Sequence, residues 1–582
     1  MLIGLMGRLL AGRKAIVLAI VLLQLVQTTA NLLLPTLNAA IIDDGIVGRD
    51  PAAITDFGVR MAVTAAVQVL AAVAACYLGA VLAMDVGRQL REELFTKVQS
   101  FSSQEVALFG AASLVTRATN DVAQIQNLAV LVFTMLVAAP AIFLGGMVLA
   151  IQQDVALSGI VIAVVPVLAV IMATIVRRLV PLYRAGQGLI DRISRVLREQ
   201  IIGANVIRGF VRQGHEIGRF DATNRELTRN NLHSALLVAG MMPMIMLVVN
   251  LSSVAVVWFG GHRIQSGEMR LGALTAFIAY ILQILIAIMM AMYVFMTAPR
   301  AAACAERIQA VLDTEPAIAD GPAPADVGPG GFRTGDGTVE FRNVSFAYPG
   351  AEAPVLESIS FTAVPGTTTA IIGATGSGKS TLLNLLPRFL GATEGQITIG
   401  GREVRDLPLA TLRSLVALVP QHSYLFSGTL ADNLRMGWPE ATDEELWDVL
   451  TAAQAAGFVR RLPQGLLSPV SQGGTNFSGG QRQRLCIARA LLRRAPVYLF
   501  DDSFSALDYG TDDRLRKAME PLLRAATVLV VAERVATIVD AGLILVLENG
   551  RLVAQGTHQE LLDSAPSYQE IAASQLVLEE TP

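Results

Sequence analysis

The stretch AIIGATGSGKSTLLNLL, residues 370–386, decides the reading of the C-terminal half. An apolar strand-like run meets a glycine-rich turn, and a helical apolar pattern follows. Gly373 to Ser380 matches G-x-x-x-x-G-K-[ST], a loop whose backbone N–H groups cradle phosphate. The chemistry sets the composition. Side chains at Gly376 and Gly378 would block the close approach, and the helix N-terminus behind them favours an anion. Lys379 can reach the outer phosphates, and the Ser380 hydroxyl can ligate Mg²⁺. Gly373, Thr375, Gly376, Ser377, Gly378, Lys379, Ser380 and Thr381 are therefore candidate nucleotide-binding residues.

A second stretch, VYLFDDSFSALD (497–508), runs from an apolar strand into two carboxylates. In a P-loop NTPase the strand-end Asp holds Mg²⁺. Asp501 takes that role, and Asp502 stands where a general base or water-orienting residue would stand. Around both stretches, residues 339–582 alternate short apolar runs, helical stretches and Gly-rich turns. That pattern predicts one α/β P-loop NTPase domain with a largely parallel sheet.

The preceding 300 residues read differently. The whole chain has 582 residues and is 53% hydrophobic, which suits a membrane protein better than a soluble one. Six runs without Asp, Glu, Lys or Arg lie at about 15–42, 61–84, 128–153, 155–176, 234–261 and 271–298. Each exceeds the ~20 residues that cross a bilayer core as a helix. Arginine and lysine collect before the first run (Arg8, Arg13, Lys14), between the second and third, and between the fourth and fifth, from Arg177 to Arg229. The stretches 41–57, 152–158 and 260–270 read as short loops on the opposite side. Both termini and the two long basic loops are therefore expected in the cytosol. Helix-like sequence in those loops predicts that the helices continue well past the membrane. The expected organisation is a six-helix transmembrane domain at 1–310, a Gly- and Pro-rich linker at 311–338 and the α/β domain at 339–582. The formal net charge of −3 points to no nucleic-acid partner. Cys76, Cys304 and Cys486 are too scattered for a disulfide framework or a metal knuckle.

Between the two nucleotide stretches lies NFSGGQRQRLCIARAL (476–491). FSGGQ, from Phe477 through Ser478, Gly479 and Gly480 to Gln481, resembles the LSGGQ-type signature of ABC transporters. Other motifs of that family follow in order. Tyr348 in VSFAYPG matches the aromatic that stacks on adenine, Gln421 in LVPQHSYLFSGT matches the Q-loop glutamine, and SALD ends in the D-loop residue Asp508. SLVTRATNDV (113–122) and VIRGFVRQGHEIGRF (206–220) resemble the cytosolic turns that dock on the ATPase domains. The resemblance covers the whole chain and implies an exporter-type half-transporter in the plasma (inner) membrane. It implies ATP and Mg²⁺ as ligands, with Ser380, Gln421 and Asp501 around the metal.

Two positions depart from the family pattern. The residue after the Walker B Asp is normally Glu; here it is Asp502, shorter by about 1.5 Å of reach. A ~1 Å misplacement can cost on the order of a hundredfold in a positioned reaction. The family's switch histidine matches Glu533 in VVAERVATI. Histidine can donate to a γ-phosphate, whereas an ionised glutamate ~4 Å away would repel it by about 4 kcal/mol at an effective dielectric of ~20. The family's ATPase domains pair head to tail, so this chain's intact signature would complete a partner's site. The expectation is a heterodimer with a non-identical half-transporter, in which this chain's own ATP site is degenerate. The uncharged spans and the methionines of the fifth and sixth suggest a hydrophobic or amphipathic cargo, such as a lipid, a drug-like molecule or a lipophilic metabolite. A siderophore or lipid importer of the same fold and a homodimeric multidrug exporter remain as alternatives.

Overall fold

The computed structural model describes residues 1–322, 337–505 and 507–579. Most of the expected linker, 323–336, lies outside the described residues. The chain divides into two compact units. One comprises Met1–Lys97 and Ala112–Asp313, the other Val98–Ala111 and Thr314–Pro582.

Within hydrocarbon every backbone polar group must be satisfied inside its own segment, so long uncharged runs fold as helices. Six helical segments are long and apolar enough to cross a membrane: Leu2–Val47, Pro51–Gln99, Ala111–Gln153, Val155–Ile202, Gln213–Gln265 and Leu271–Leu312. The shortest has 42 residues, twice what a bilayer needs, so the helices do overrun the hydrocarbon. The three stretches read as outer loops are shorter than expected. Ile41–Val47 is π-helical and the next helix begins at Pro51, which leaves 48–50 as the turn. Only Asp154 separates the third segment from the fourth, and the last loop is 266–270. Side-chain caps replace the missing loop length. Asp154 accepts from the Leu157 N–H at 2.9 Å and pairs with Arg263 at 3.0 Å, and Asp43 accepts from the Gly272 N–H at 2.6 Å.

The sixth segment forms the core of this unit. Its Ala276, Phe277, Tyr280 and Ile284 are buried. The Tyr280 hydroxyl meets Thr36 Oγ1 at 2.5 Å and donates to the Leu32 carbonyl at 3.2 Å. Several polar residues of the spans serve helix–helix contact rather than an open cavity. Gln24 donates to the Phe133 carbonyl, which sits in the π-helical turn Val132–Leu136. Asn31 receives Gln68 at its side chain (3.1 Å) and Gln283 at its carbonyl (3.2 Å). Toward the other end, Arg307 grips buried Asp121 with two bonds of 2.8 and 2.6 Å.

The second unit is α/β. Its strands are β1 (Val339–Phe346), β2 (Leu356–Ala363), β3 (Thr368–Gly373), β4 (Glu394–Ile399), β5 (Arg402–Glu403), β6 (Val416–Val419), β7 (Gly428–Thr429), β8 (Pro469–Val470), β9 (Val497–Asp501), β10 (Thr527–Val531), β11 (Leu543–Glu548) and β12 (Arg551–Gly556). The main sheet runs β12-β11-β3-β10-β9-β6, parallel except for β12, beside an antiparallel sheet β2-β1-β4-β5 and a β7-β8 ribbon. Every residue of β9 and β10 is buried, as expected of parallel strands covered on both faces. Leu499, Leu529 and Val531 face one core, shared with β1 and β2. Phe500, Val528 and Val530 face the other, shared with the helix Gly479–Leu492.

The cap at Gly272 supplies a test of this packing. A Cβ there would lie 2.2 Å from the Ala39 carbonyl oxygen and 2.6 Å from the Asp43 carboxylate, whereas one on Gly240 meets nothing within 4 Å. Gly272→Ala is expected to destabilise the solubilised protein by about 1–3 kcal/mol. Gly240→Ala should be neutral or stabilising by about 0.5–1 kcal/mol. Thermal unfolding of the two variants in detergent checks the contrast.

Candidate nucleotide site

Register brings the candidate residues to one edge of the main sheet. β10 pairs with β3 on one side and β9 on the other, with Val531 opposite both Ile371 and Asp501. The chain therefore leaves all three strands together: into the P-loop after β3, into Asp502 after β9 and into Glu533 after β10. The loop itself demands glycine at two points. A Cβ on Gly373 would lie 2.1 Å from the Leu547 carbonyl oxygen, and Gly378 has φ +98°. The Ser377 hydroxyl is buried and has no hydrogen-bond partner among the described residues. An orphan donor inside a ring of loop amides fits a phosphate oxygen.

Lys379 opens the helix Lys379–Leu385. Its Nζ donates to the carbonyls of Gly373 (2.8 Å) and Ala374 (2.9 Å). Burial holds the ammonium below the usual lysine range, against the attraction of Glu533, then Asp502 and Asp501. The Ser380 hydroxyl donates to Asp501 Oδ1 at 2.8 Å. Burial raises the Asp501 carboxyl, and the Ser380 bond and Lys379 oppose it. A hydroxyl beside a buried carboxylate is a fitting oxygen pair for a Mg²⁺ that takes its other ligands from phosphate and water.

Asp502 departs from ordinary backbone geometry, with φ +47°. A non-glycine residue in that region costs roughly 1–3 kcal/mol and persists where the surroundings over-determine it. Here its N–H donates to the Val531 carbonyl (3.2 Å), and its carbonyl accepts from Ser505 Oγ (3.0 Å) and Gln483 Nε2 (3.3 Å). Burial raises the Asp502 carboxyl; bonds from Ser505 and Gln421 lower it, and the charges of Glu533 and Asp501 raise it further. Asp502, Ser505, Glu533 and Thr537 line a cavity of about 180 Å³. Tyr348 is exposed, edge-on to Phe346 with ring centres 4.8 Å apart, and its hydroxyl lies 3.4 Å from Thr381 Oγ1.

The signature residues are arranged as a helix cap. Ser478 Oγ accepts from the Gln481 N–H (3.3 Å), and Gln481 Oε1 accepts from the Ser478 N–H (2.9 Å). The helix they open, Gly479–Leu492, starts with Gly479 and Gly480, and Phe477 is buried beneath it. Asp508 caps the helix Tyr509–Leu523 through the Thr511 N–H at 3.0 Å, a bond that holds its carboxyl below the usual range. The structure thus gathers the P-loop, Asp501, Asp502, Gln421 and Glu533, while Ser478, Gln481 and Asp508 form separate exposed helix starts. Sequence reading missed Gln483 and Gln575. Neither belongs to the strand-end pattern, and only the folded chain brings Gln575 to within 2.8 Å of the Glu533 carbonyl.

A family model for the ABC transporter transmembrane region matches residues 17–289, and one for the ABC transporter matches 356–505. An ABC transporter ATP-binding protein of Mycobacterium tuberculosis is 45% identical over 580 residues, covering 99% of this chain and 98% of that one. The chain belongs to the ABC transporter family. Other ABC transporter relatives include an ATP-binding protein of Bacillus subtilis, 35% identical over 95% of both chains. The ATP-dependent lipid A-core flippase of Chromobacterium violaceum is 32% identical over 97% of this chain and 95% of that protein. A solved bacterial Atm1-family ABC exporter with ATP bound aligns at a TM-score of 0.79 and 25% identity, over 97% of this chain and 98% of that one. The molecule is accordingly an exporter-type ABC half-transporter, with its membrane region fused to an ATP-binding ABC domain.

The raised Asp502 carboxyl makes a stability test. A carboxyl whose folded pKa lies above its unfolded value favours the fold at low pH and loses that contribution as pH rises through the folded pKa. Ionised Asp502 is therefore a burden at neutral pH. Asp502→Asn is expected to raise the unfolding midpoint of the ABC domain at pH 7.5 by about 2–4 °C for each kcal/mol relieved. The gain should shrink toward pH 4, and calorimetry without nucleotide at the two pH values checks it.

Proposed function

We propose that this chain is one half of a heterodimeric exporter whose own ATP site binds nucleotide but hydrolyses it poorly. One observation carries the reading. Asp502 and Glu533 stand over the same cavity, and both act on Lys379, at the two positions where the family pattern has a longer base and a histidine. The P-loop, Ser380 and Asp501 would bind ATP and Mg²⁺, with Gln421 as a further metal-facing candidate. The metal held by these residues would supply positive charge for phosphoryl transfer. Asp502 is left to orient water from a shorter stem. Its proton affinity is raised by burial, which favours accepting a proton but not reaching for one. Glu533 would set a negative charge toward the γ-phosphoryl oxygens, over which the transition-state charge is spread, and that opposes the transition state.

The separate, intact signature supports the complementary half of the proposal. Gly479 and Gly480 present N–H groups at a helix start whose cap is closed by Ser478 and Gln481, which suits the γ-phosphate of a nucleotide held by another chain. We assign them to a partner's P-loop. Hydrolysis falls mainly on that partner site. Two copies of this chain would have two impaired sites, so the partner is a non-identical half-transporter. Asp508 belongs to the same interface.

The domain limits 1–310, 311–338 and 339–582, the cytosolic placing of both termini and a plasma-membrane location complete the reading. For cargo we favour a lipid or another amphipathic molecule. The spans offer no fixed charge, Met242, Met244 and Met246 are exposed, and a relative of similar length is named a lipid A-core flippase. Met241, Met289 and Met292 instead pack against the Leu168–Ile245 cluster and serve the fold.

The test is restoration. Asp502→Glu combined with Glu533→His in the full chain, reconstituted in lipid, is expected to raise ATP turnover by about tenfold or more, given what ~1 Å of misplacement costs. Absence of any gain would overturn the account of the two carboxylates. Purification from native membranes should recover a second, different half-transporter; recovery of self-copies alone would overturn the heterodimer.

A further inference from the structure

The C-terminal helix Pro566–Glu579 reaches back to the turn after β10, where Gln575 bonds its backbone. Gln575 Nε2 donates to the Glu533 carbonyl at 2.8 Å, and Gln575 Oε1 accepts from the Val535 N–H at 2.7 Å. The amide matches donor to acceptor at both ends, so its orientation is fixed; the reversed amide would make two mismatches. It spans the backbone on both sides of Arg534 and closes the turn that follows β10. Among the described residues, no neighbouring strand pairs with that turn. The residues after Ala532 leave the sheet and enter the short 3₁₀ turn Val535–Thr537.

The other end of the helix is firmly seated. Tyr568 is fully buried and its hydroxyl lies 2.7 Å from His558 Nδ1. Ser567 Oγ donates to Glu548 Oε2 at 3.0 Å, at the end of β11, and Gln569 Nε2 donates to the Leu562 carbonyl at 2.6 Å. The helix is therefore a strut, anchored to the body of the ABC domain at one end and gripping the 533–535 backbone at the other. Glu533 itself is exposed, and among the three carboxylates near Lys379 it acts on that ammonium most strongly.

We propose that Gln575 is a positioning residue of the ATP site, through which the C-terminal helix fixes where residue 533 stands against the P-loop. In this chain the strut holds a negative charge toward the phosphates. A movement of the C-terminal helix would release that charge and change nucleotide preference without touching the P-loop. The consequence for nucleotide rests on the reading of Glu533 given above; the clamp itself does not.

The experiment uses the full chain in lipid nanodiscs with Gln575→Ala, Gln575→Glu, Glu533→Gln and the Gln575→Ala/Glu533→Gln pair. Hydrogen exchange reads the clamp directly. The peptide containing Val535 is expected to exchange at least about tenfold faster in Gln575→Ala, with less change in Gln575→Glu, which keeps the acceptor for Val535. Exchange in β3 should stay unchanged, which separates a released turn from a loosened fold. Unchanged exchange at Val535, or equal acceleration in β3, would overturn the proposal. Competition binding of ATP and ADP reads the consequence. Gln575→Ala should raise the preference for ATP over ADP by about fivefold, the order of one partly solvated charge repulsion. It should add nothing in the Glu533→Gln background. The same gain in that background would mean a role independent of residue 533 and would also overturn the proposal. If Glu533→Gln alone leaves the ATP-to-ADP preference unchanged, the reading of Glu533 fails, and exchange at Val535 alone decides the clamp.

Discussion

The parallel pairing of β10 with β3 and β9 is the constraint on which the nucleotide site depends. Because Val531 lies opposite both Ile371 and Asp501, β9 and β10 end level with one another and β3 runs two residues further, to Gly373. One turn from each then supplies a different chemical element: loop amides and the Lys379 ammonium, the buried Asp501 carboxylate beside the Ser380 hydroxyl, and the exposed Glu533 carboxylate. A slip of one position would turn Asp501 to the opposite face of the sheet. The uninterrupted apolar composition of β9 and β10, with both faces buried, is what makes such a slip costly.

Charge at that edge is finely set. Lys379 is the cation of the P-loop, and it stands among three carboxylates in partial burial. Burial pushes Asp501 and Asp502 toward the neutral form while Lys379 and hydrogen bonds resist. Ser380 and Asp501 would hold a Mg²⁺ at this point, and its charge would offset the buried carboxylate. Glu533 is exposed and adds a further negative charge near Lys379. On the proposed function, this site binds ATP and cleaves it poorly. The signature residues carry no such conflict, since their N–H groups form an ordinary helix start.

Much of this was legible in the sequence because it is local. The P-loop needs its glycines and lysine within eight consecutive residues, and β9 announces itself by an apolar run that ends in Asp501. Six uncharged runs are equally plain, since a bilayer leaves one solution for the backbone. What stayed hidden depends on contacts between distant residues. The loops 41–57, 152–158 and 260–270 read as loops from their charged and polar residues. In the structure Asp43 and Asp154 use their charges to cap the next helix, so the turns shrink to a few positions. Gln24, Asn31 and Gln283 carry no local mark that tells cavity lining from helix bonding, and their partners on other spans show the latter. Gln575 lies 42 residues beyond Glu533 on a helix with no motif of its own. The strained backbone of Asp502 also has no sequence mark, because a non-glycine residue at positive φ is tolerated only by the bonds that surround it.

The most direct test is ATP turnover by this chain purified alone and reconstituted in lipid, measured beside its ATP binding. The account requires retained ATP binding with near-zero hydrolysis. Robust turnover by the chain alone would mean a working homodimer and would contradict the reading of Asp502 and Glu533.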